Sequence, residues 1–315
     1  MRILLTGAAG FIGSNLLEKL LSLGNEVIGI DNFDPFYPRK YKEKNLENAY
    51  KNKNFRFIEA DICTPATWES FGNNNFDVII HLAAKAGVRP SMVQPVEYNK
   101  VNVLGTNYLL EFARKNNIRK ILFASSSSVY GVNKNLPWLV DEPNLEPISI
   151  YAYSKLAGEQ LCEFYQDYFD LNITALRFFT VIGPRQRPDL AIHKFVKAII
   201  EDQTVTLYGN GQTFRDYTFI DDIVSGIIGA MNYDNNKFEI FNLGNTHTVS
   251  LLELVKTIED ILGKKAKIEY LPEQKGDVPF TWSDIEKSRN LLGFNPQTDL
   301  KEGIGQFINW YKTLV

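Results

Sequence analysis

The sequence predicts an α/β protein: a doubly wound parallel sheet followed by a smaller C-terminal α/β region. Three observations carry that reading. Short apolar runs alternate with helical patterns through the first half of the chain. The first run leads at once into a glycine-rich turn, TGAAGFIG, that opens a helical pattern. The second run ends in an acid, Asp31, 18 residues after Gly13. The 315 residues, 44% of them hydrophobic, suffice for a large buried core.

The runs RILLT (2–6), EVIGI (26–30), FRFIEA (55–60), DVIIHLA (77–83), KILFAS (120–125) and ITALRFF (173–179) are rich in Val, Ile, Leu and Phe. That composition fits strands covered on both faces. The stretches FIGSNLLEKLLSLG, VNVLGTNYLLEFARKNN and SKLAGEQLCEFYQDYF between them have helical spacing. After residue 180 the pattern loosens, punctuated by Pro184, Pro188, Gly209, Gly211, Pro272, Gly276 and Pro279. Helices are expected at 191–202, 220–232, 249–262 and 300–313, and a further strand at 238–244. Residues 1–179 with about 215–244 are assigned to a dinucleotide-binding Rossmann domain. Residues of about 180–214 with 245–315 form a second, substrate-binding domain, so the chain crosses more than once between the two.

A net charge of −3 gives no reason to expect a nucleic acid or membrane partner. No apolar run reaches the length of a membrane span. Glycine breaks the N-terminal MRILLTGAAG too early for a signal peptide. Cys63 and Cys162 lie far apart and read as reduced thiols of a cytoplasmic protein. The histidines, His81, His193 and His247, show no metal-ligand spacing, so no metal is expected.

In TGAAGFIG, Gly7, Gly10 and Gly13 flank Phe11 and Ile12 where a strand passes into a helix. Such a turn lets a pyrophosphate approach the backbone and rest on the helix N-terminus. Asp31, followed by Asn32, is placed to accept hydrogen bonds from both adenosine ribose hydroxyls. An acid there repels a 2′-phosphate, so the cofactor expected is NAD rather than NADP. Asp61 and Ile62 end the third strand, where they meet an adenine. Leu82, Ala83 and Ala84 end the fourth, on the same sheet edge.

The reacting centre is read from two stretches. KILFA runs into four serines, Ser125 to Ser128, at a strand end. YAYSK opens a helix that sets Tyr151 and Lys155 on one face. A nearby ammonium lowers a tyrosine pKa toward a usable base, and a serine hydroxyl completes the relay.

Together TGAAGFIG, HLAA, SSSSVYG and YAYSK resemble the extended short-chain dehydrogenase/reductases, in the nucleotide-sugar epimerase and dehydratase branch. The resemblance runs over essentially the whole chain, including RFFTVIGPRQRPD (177–189) and YGNGQTFRDYTFIDD (208–222). It implies Ser126, Tyr151 and Lys155 as catalytic residues, and Asn102 with Lys155 on the nicotinamide side of NAD. It implies Arg215 on a sugar-nucleotide diphosphate and Asp277 in the nucleotide-binding stretch. Gln274 stands where the family often has a second arginine. It also implies a homodimer packed through the helix that carries Tyr151, with Leu156, Leu161 and Phe164 serving either that interface or the core.

Within the branch, 4,6-dehydratases carry an Asp-Glu pair where this chain has Ser127 and Ser128, and UDP-glucuronate decarboxylases usually carry Glu at the Ser128 position. Without those acids elimination lacks its acid–base groups, which leaves oxidation and re-reduction at one carbon. Arg89 and Ser91 in AGVRPS, and Thr180 with Arg185 and Arg187, resemble UDP-glucuronate 4-epimerases. Hydroxyls from Ser127, Ser128 and Thr180, with Arg185, are then expected to hold the substrate carboxylate. The competing readings are a UDP-glucose/UDP-galactose or N-acetylhexosamine 4-epimerase, a net dehydrogenase exchanging free cofactor, and a redox-silent NAD-binding protein.

Overall fold

In the computed structural model, which describes all residues except 73, 235–237, 274, 275, 277 and 315, twelve strands are formed among the described residues. In chain order they are β1 (Arg2–Thr6), β2 (Glu26–Asp31), β3 (Phe55–Glu59), β4 (Val78–His81), β5 (Lys120–Ser126), β6 (Asn172–Phe178), β7 (Thr180–Ile182), β8 (Thr204–Tyr208), β9 (Phe214–Phe219), β10 (Glu239–Leu243), β11 (Thr248–Ser250) and β12 (Lys267–Leu271). The apolar runs of the first half become a seven-stranded sheet in the order β3-β2-β1-β4-β5-β6-β10, every pair parallel. The order reverses between β1 and β4. At that point the connections leave in opposite directions and open a crevice beyond the strand C-termini.

Both faces of the sheet are covered, which is why its strands are apolar throughout. On one face Leu16, Leu17 and Leu20 of the helix Phe11–Ser22 share a core with Ile223 and Ile227 of the helix Ile220–Asn232. On the other, Leu109 and Leu110 of the helix Gly105–Lys115 join Cys162 and Tyr165 of the helix Ile150–Phe169. Past residue 180 the chain builds two small sheets, β11-β9-β7 and β12-β8. Residues 215–219, expected with the dinucleotide-binding region, lie in β9 of the three-stranded sheet. The chain rejoins the large sheet through the helix Ile220–Asn232 and β10. No helix among the described residues is long and apolar enough to cross a membrane.

Two local features fix the crevice. The helix Ile150–Phe169 starts at Ser149, whose hydroxyl accepts the Ala152 amide at 3.1 Å. It then lies hard against β5. A Cβ at Gly158 would come within 2.4 Å of the Phe123 ring, so only glycine permits that approach. Beneath the crevice, His81 at the end of β4 is wholly enclosed. Its Nδ1 is 2.7 Å from the Thr6 hydroxyl and its Nε2 is 3.1 Å from that of Thr106. Thr106 donates onward to the Asn102 carbonyl at 2.6 Å. These bonds suit a neutral ring, and burial, aided by the Lys155 charge, holds the His81 pKa down at about 3.

The sign of the pH effect follows. The unfolded imidazole takes a proton near the ordinary 6.5 while the folded one waits until about 3. The stabilisation is complete above pH 6.5 and is lost as pH falls through that window. Between about pH 6 and 4, wild type should lose up to about 1.4 kcal/mol per pH unit more than His81→Gln, measured by denaturant unfolding. Equal slopes would show that His81 protonates within the fold.

Candidate active site

The glycine turn sits at the mouth of the crevice. Gly7 has φ of 72°, and a Cβ at Gly13 would come within 2.0 Å of the Gly7 carbonyl oxygen. Gly10 caps the helix Phe11–Ser22 without a side chain, leaving its first amides open to an anion. Asp31 closes β2. Its Oδ1 accepts the Phe33 amide at 2.9 Å and its Oδ2 accepts that of Ala9 at 3.2 Å. Burial pushes its pKa up, and the Lys42 ammonium 3.8 Å away with the two amides pulls it back. Asn32 donates to Asp61 at 3.2 Å, and Asp61 accepts the Cys63 amide at 2.7 Å.

One cavity of about 480 Å³ runs from this end to the serine turn. Gly7, Gly10, Phe11, Ile12, Gly13, Asp31, Asn32, Asp61, Ile62, Leu82, Ala83 and Ala84 line it, together with Ser126, Ser127, Ser128, Tyr151, Lys155 and Thr180. A turn that a Cβ would fill, a bare helix N-terminus and an acid at the second strand end fit NAD. Asn102 is placed differently. Its side chain lies behind the wall, accepting the Lys85 amide at 2.8 Å and donating to the Lys85 carbonyl and Ser154 hydroxyl, both at 2.9 Å. It belongs to a π-helical stretch, Lys100–Leu104, and ties the loop after β4 to the helix carrying Tyr151.

At the other end β5 stops at Ser126 and Ser127–Tyr130 form a 3-10 turn. The Ser126 hydroxyl accepts the Ser128 amide at 3.2 Å and lies 3.1 Å from the Ser128 hydroxyl. Tyr151 is partly buried at the cavity wall, and desolvation there raises its pKa above the ordinary 10; a hydrogen bond with Ser126 and the charge of Arg187 pull it back. Lys155 donates to the Ala124 carbonyl at 2.7 Å, and burial lowers its pKa to about 8. The sequence reading had Lys155 lowering the Tyr151 pKa. In the structure burial dominates, and the groups acting on the phenol are Ser126 and Arg187.

The two arginines of GPRQRPD part company. Arg185, at φ of 70°, turns to Glu18 on the helix Phe11–Ser22, 2.5 Å away, and does not reach the cavity wall. Arg187 does line it, held by Asp189 at 2.8 and 2.9 Å. Gly183, at φ of 139°, precedes both, and a Cβ there would come within 2.5 Å of the Ile220 side chain. Arg89 lies 4.6 Å from the Tyr208 ring at the end of β8. Arg215, on β9, donates to the Phe214 carbonyl at 2.9 Å. Asp277 and Gln274 lie outside the described residues. Three charged wall residues escaped the sequence reading: Lys42, Lys85 and Asp34, the latter two paired at 3.0 Å. Lys42 sits in the run RKYKEK, where nothing marks which lysine is buried.

Residues 3–244 match the NAD dependent epimerase/dehydratase family. A UDP-glucuronate 4-epimerase of Thermodesulfobacterium geofontis is 38% identical over 98% of this chain and 95% of its own. The crystal structure of UDP-glucuronic acid 4-epimerase from Bacillus cereus, in complex with UDP-glucuronic acid and NAD, superposes with a TM-score of 0.94 at 37% identity over the whole of both chains. UDP-glucose 4-epimerase from Thermotoga maritima, with UDP-glucose, superposes at 0.92 with 32% identity over 100% of this chain and 99% of its own. The chain therefore belongs to the NAD dependent epimerase/dehydratase family, and NAD is its cofactor.

Proposed function

We propose that this protein interconverts UDP-glucuronate and UDP-galacturonate by inverting C4 through a transient 4-keto sugar. The observation that carries the reading is the sugar end of the cavity. Ser126, Ser127, Ser128 and Thr180 bring hydroxyls, Arg187 brings a cation, and the serine turn contributes no carboxylate. A site so furnished suits an anionic sugar and lacks the acid and base that elimination requires.

The chemistry is divided as follows. Tyr151 takes the proton from the C4 hydroxyl while Ser126, hydrogen-bonded to the same phenol, steadies the sugar oxygen. Lys155, fixed on the Ala124 carbonyl, keeps a positive charge beneath the site. When bound, NAD supplies the reversible hydride acceptor; Gly7, Gly10, Gly13 and Asp31 would hold it. Arg215 would anchor the diphosphate, with Asp277 in the nucleotide-binding stretch, while the sugar presents its other face, after which Tyr151 returns the proton. A 4-keto uronate is a β-keto acid, and it loses CO2 when its C5–C6 bond aligns with the carbonyl π system. Ser127, Ser128 and Thr180 would hold the carboxylate out of that alignment. The arginine in this role is Arg187; Arg185 is turned away on Glu18.

Two further readings complete the proposal. The region of the two small sheets would bind the nucleotide, with Arg89 near Tyr208 at its border. The protein would work as a cytoplasmic homodimer through the helix Ile150–Phe169. Leu156 and Leu161 pack inward, while Tyr153, Phe164 and Tyr168 remain exposed on that helix.

The neutral-sugar reading retains support from the Thermotoga maritima structure at TM-score 0.92. Proton NMR decides between them. Purified protein without added NAD should convert UDP-glucuronate to UDP-galacturonate with no bicarbonate or pentose product. Turnover of UDP-glucose alone would overturn the uronate reading. Tyr151→Phe should lower kcat by about 10² or more while the protein keeps its NAD. Arg187→Met should raise KM for UDP-glucuronate by about 30-fold or more, because an anion then loses its buried partner. An unchanged KM would place Arg187 outside the carboxylate site.

A further inference from the structure

One buried ion pair holds both ends of the serine turn. Glu159 lies on the helix Ile150–Phe169, one turn beyond Lys155, and Arg177 lies on β6. Their side chains are 3% and 2% exposed and meet in two hydrogen bonds of 2.9 and 2.8 Å. Glu159 also accepts the Ser125 hydroxyl at 2.5 Å. Arg177 also donates to the Tyr130 phenol at 2.9 Å and to the Val140 carbonyl at 3.2 Å. Tyr130 donates to Asn242 on β10 at 2.7 Å and stacks on Trp138, with ring centroids 4.8 Å apart. Ser125 is the first residue of the serine run and Tyr130 the last of its 3-10 turn. Ser126, Ser127 and Ser128, between those anchors, line the cavity along with Ser125, whereas Glu159, Arg177 and Tyr130 do not.

We propose that Glu159 and Arg177 are positioning residues that clamp the serine turn, so that its hydroxyls hold the substrate carboxylate away from the geometry that releases CO2. The proposal rests on the uronate reading. It adds a requirement that the hydroxyls themselves do not meet: three short side chains set a carboxylate angle only if their backbone is fixed. The helix fixes it at Ser125, next to the Ala124 carbonyl that binds Lys155. The sheet fixes it at Tyr130 through Arg177. The reaction guarded against breaks C5–C6, sends its electron pair into the C4 carbonyl as an enolate, and ends with a solvent proton at C5. The products are CO2 and a UDP-4-ketopentose.

The test uses UDP-glucuronate labelled at C6 and reads labelled CO2 released per UDP-galacturonate formed. Tyr130→Phe and Ser125→Ala each loosen one anchor while the ion pair stays intact. Each should raise that ratio at least about fivefold, the effect of one lost buried hydrogen bond, with KM little changed. Tyr165→Phe is the control. Its phenol bonds Asn107 and Glu111 of the neighbouring helix Gly105–Lys115 and touches neither anchor, so it should lower the melting temperature and leave the ratio alone. A ratio unchanged in both anchor variants, or raised equally in the control, would overturn the clamp. Wild type acting on UDP-glucose but not on UDP-glucuronate would overturn the uronate reading first, and the guarding role with it.

Discussion

The close seat of the helix Ile150–Phe169 on β5 is the constraint from which the site follows. Gly158 brings the helix against the Phe123 ring, and Lys155 reaches over it to the Ala124 carbonyl. That one contact sets the height of Tyr151 above the sheet and the distance between its phenol and Ser126. A side chain at Gly158 would push the helix outward and move both. Asn102 secures the other side by joining Ser154 to the loop after β4. The reacting residues come from a strand end and a helix, and neither element can shift without disturbing a buried polar contact.

Charge is sorted along the cavity. Asp31, Asp34 and Asp61 lie at the glycine-turn end, where a dinucleotide presents neutral hydroxyl and amino groups. Lys42 and Lys85 offset them there, at 3.8 Å from Asp31 and 3.0 Å from Asp34. Hydroxyls and Arg187 occupy the sugar end. An acid at Ser127 or Ser128 would face Arg187 and annul the attraction for an anionic sugar. The same logic applies to the Tyr151 phenol, on which the Arg187 charge acts. A phenolate is favoured near Arg187 and would be disfavoured near Asp31.

The large sheet was legible because its signals are local and redundant. Strands buried on both faces must be apolar, and a dinucleotide turn must carry glycine, so RILLT, TGAAGFIG and Asp31 read directly. The catalytic helix was legible because four residues bring Tyr151 back beside Lys155 on any helix. The small sheets were not. Strands such as Thr180–Ile182 and Thr248–Ser250 have three residues, too few for a period to show. Nor was the choice between Arg185 and Arg187 open to sequence. Two residues apart in a loop, they are separated by backbone angles that no composition reveals. Lys42 is hidden for another reason: burial of one lysine in a charged helix is decided by packing against Asp31 and Tyr37, which the charge pattern of the helix does not announce.

The ion pair of Glu159 and Arg177 is best understood through what it does not do. Burying two charges gains little or nothing over apolar residues of the same size, because desolvation cancels most of the attraction. An aliphatic pair would fill the space between helix and sheet. It would not hold Ser125 and Tyr130, since neither hydroxyl can bond to a methyl group. The pair has donors and acceptors left over after its own two bonds, and those are the atoms that reach the two ends of the serine turn. Its value lies in orientation rather than stability. Orientation is also what a β-keto acid demands, because the rate at which it loses CO2 depends on the angle of one bond.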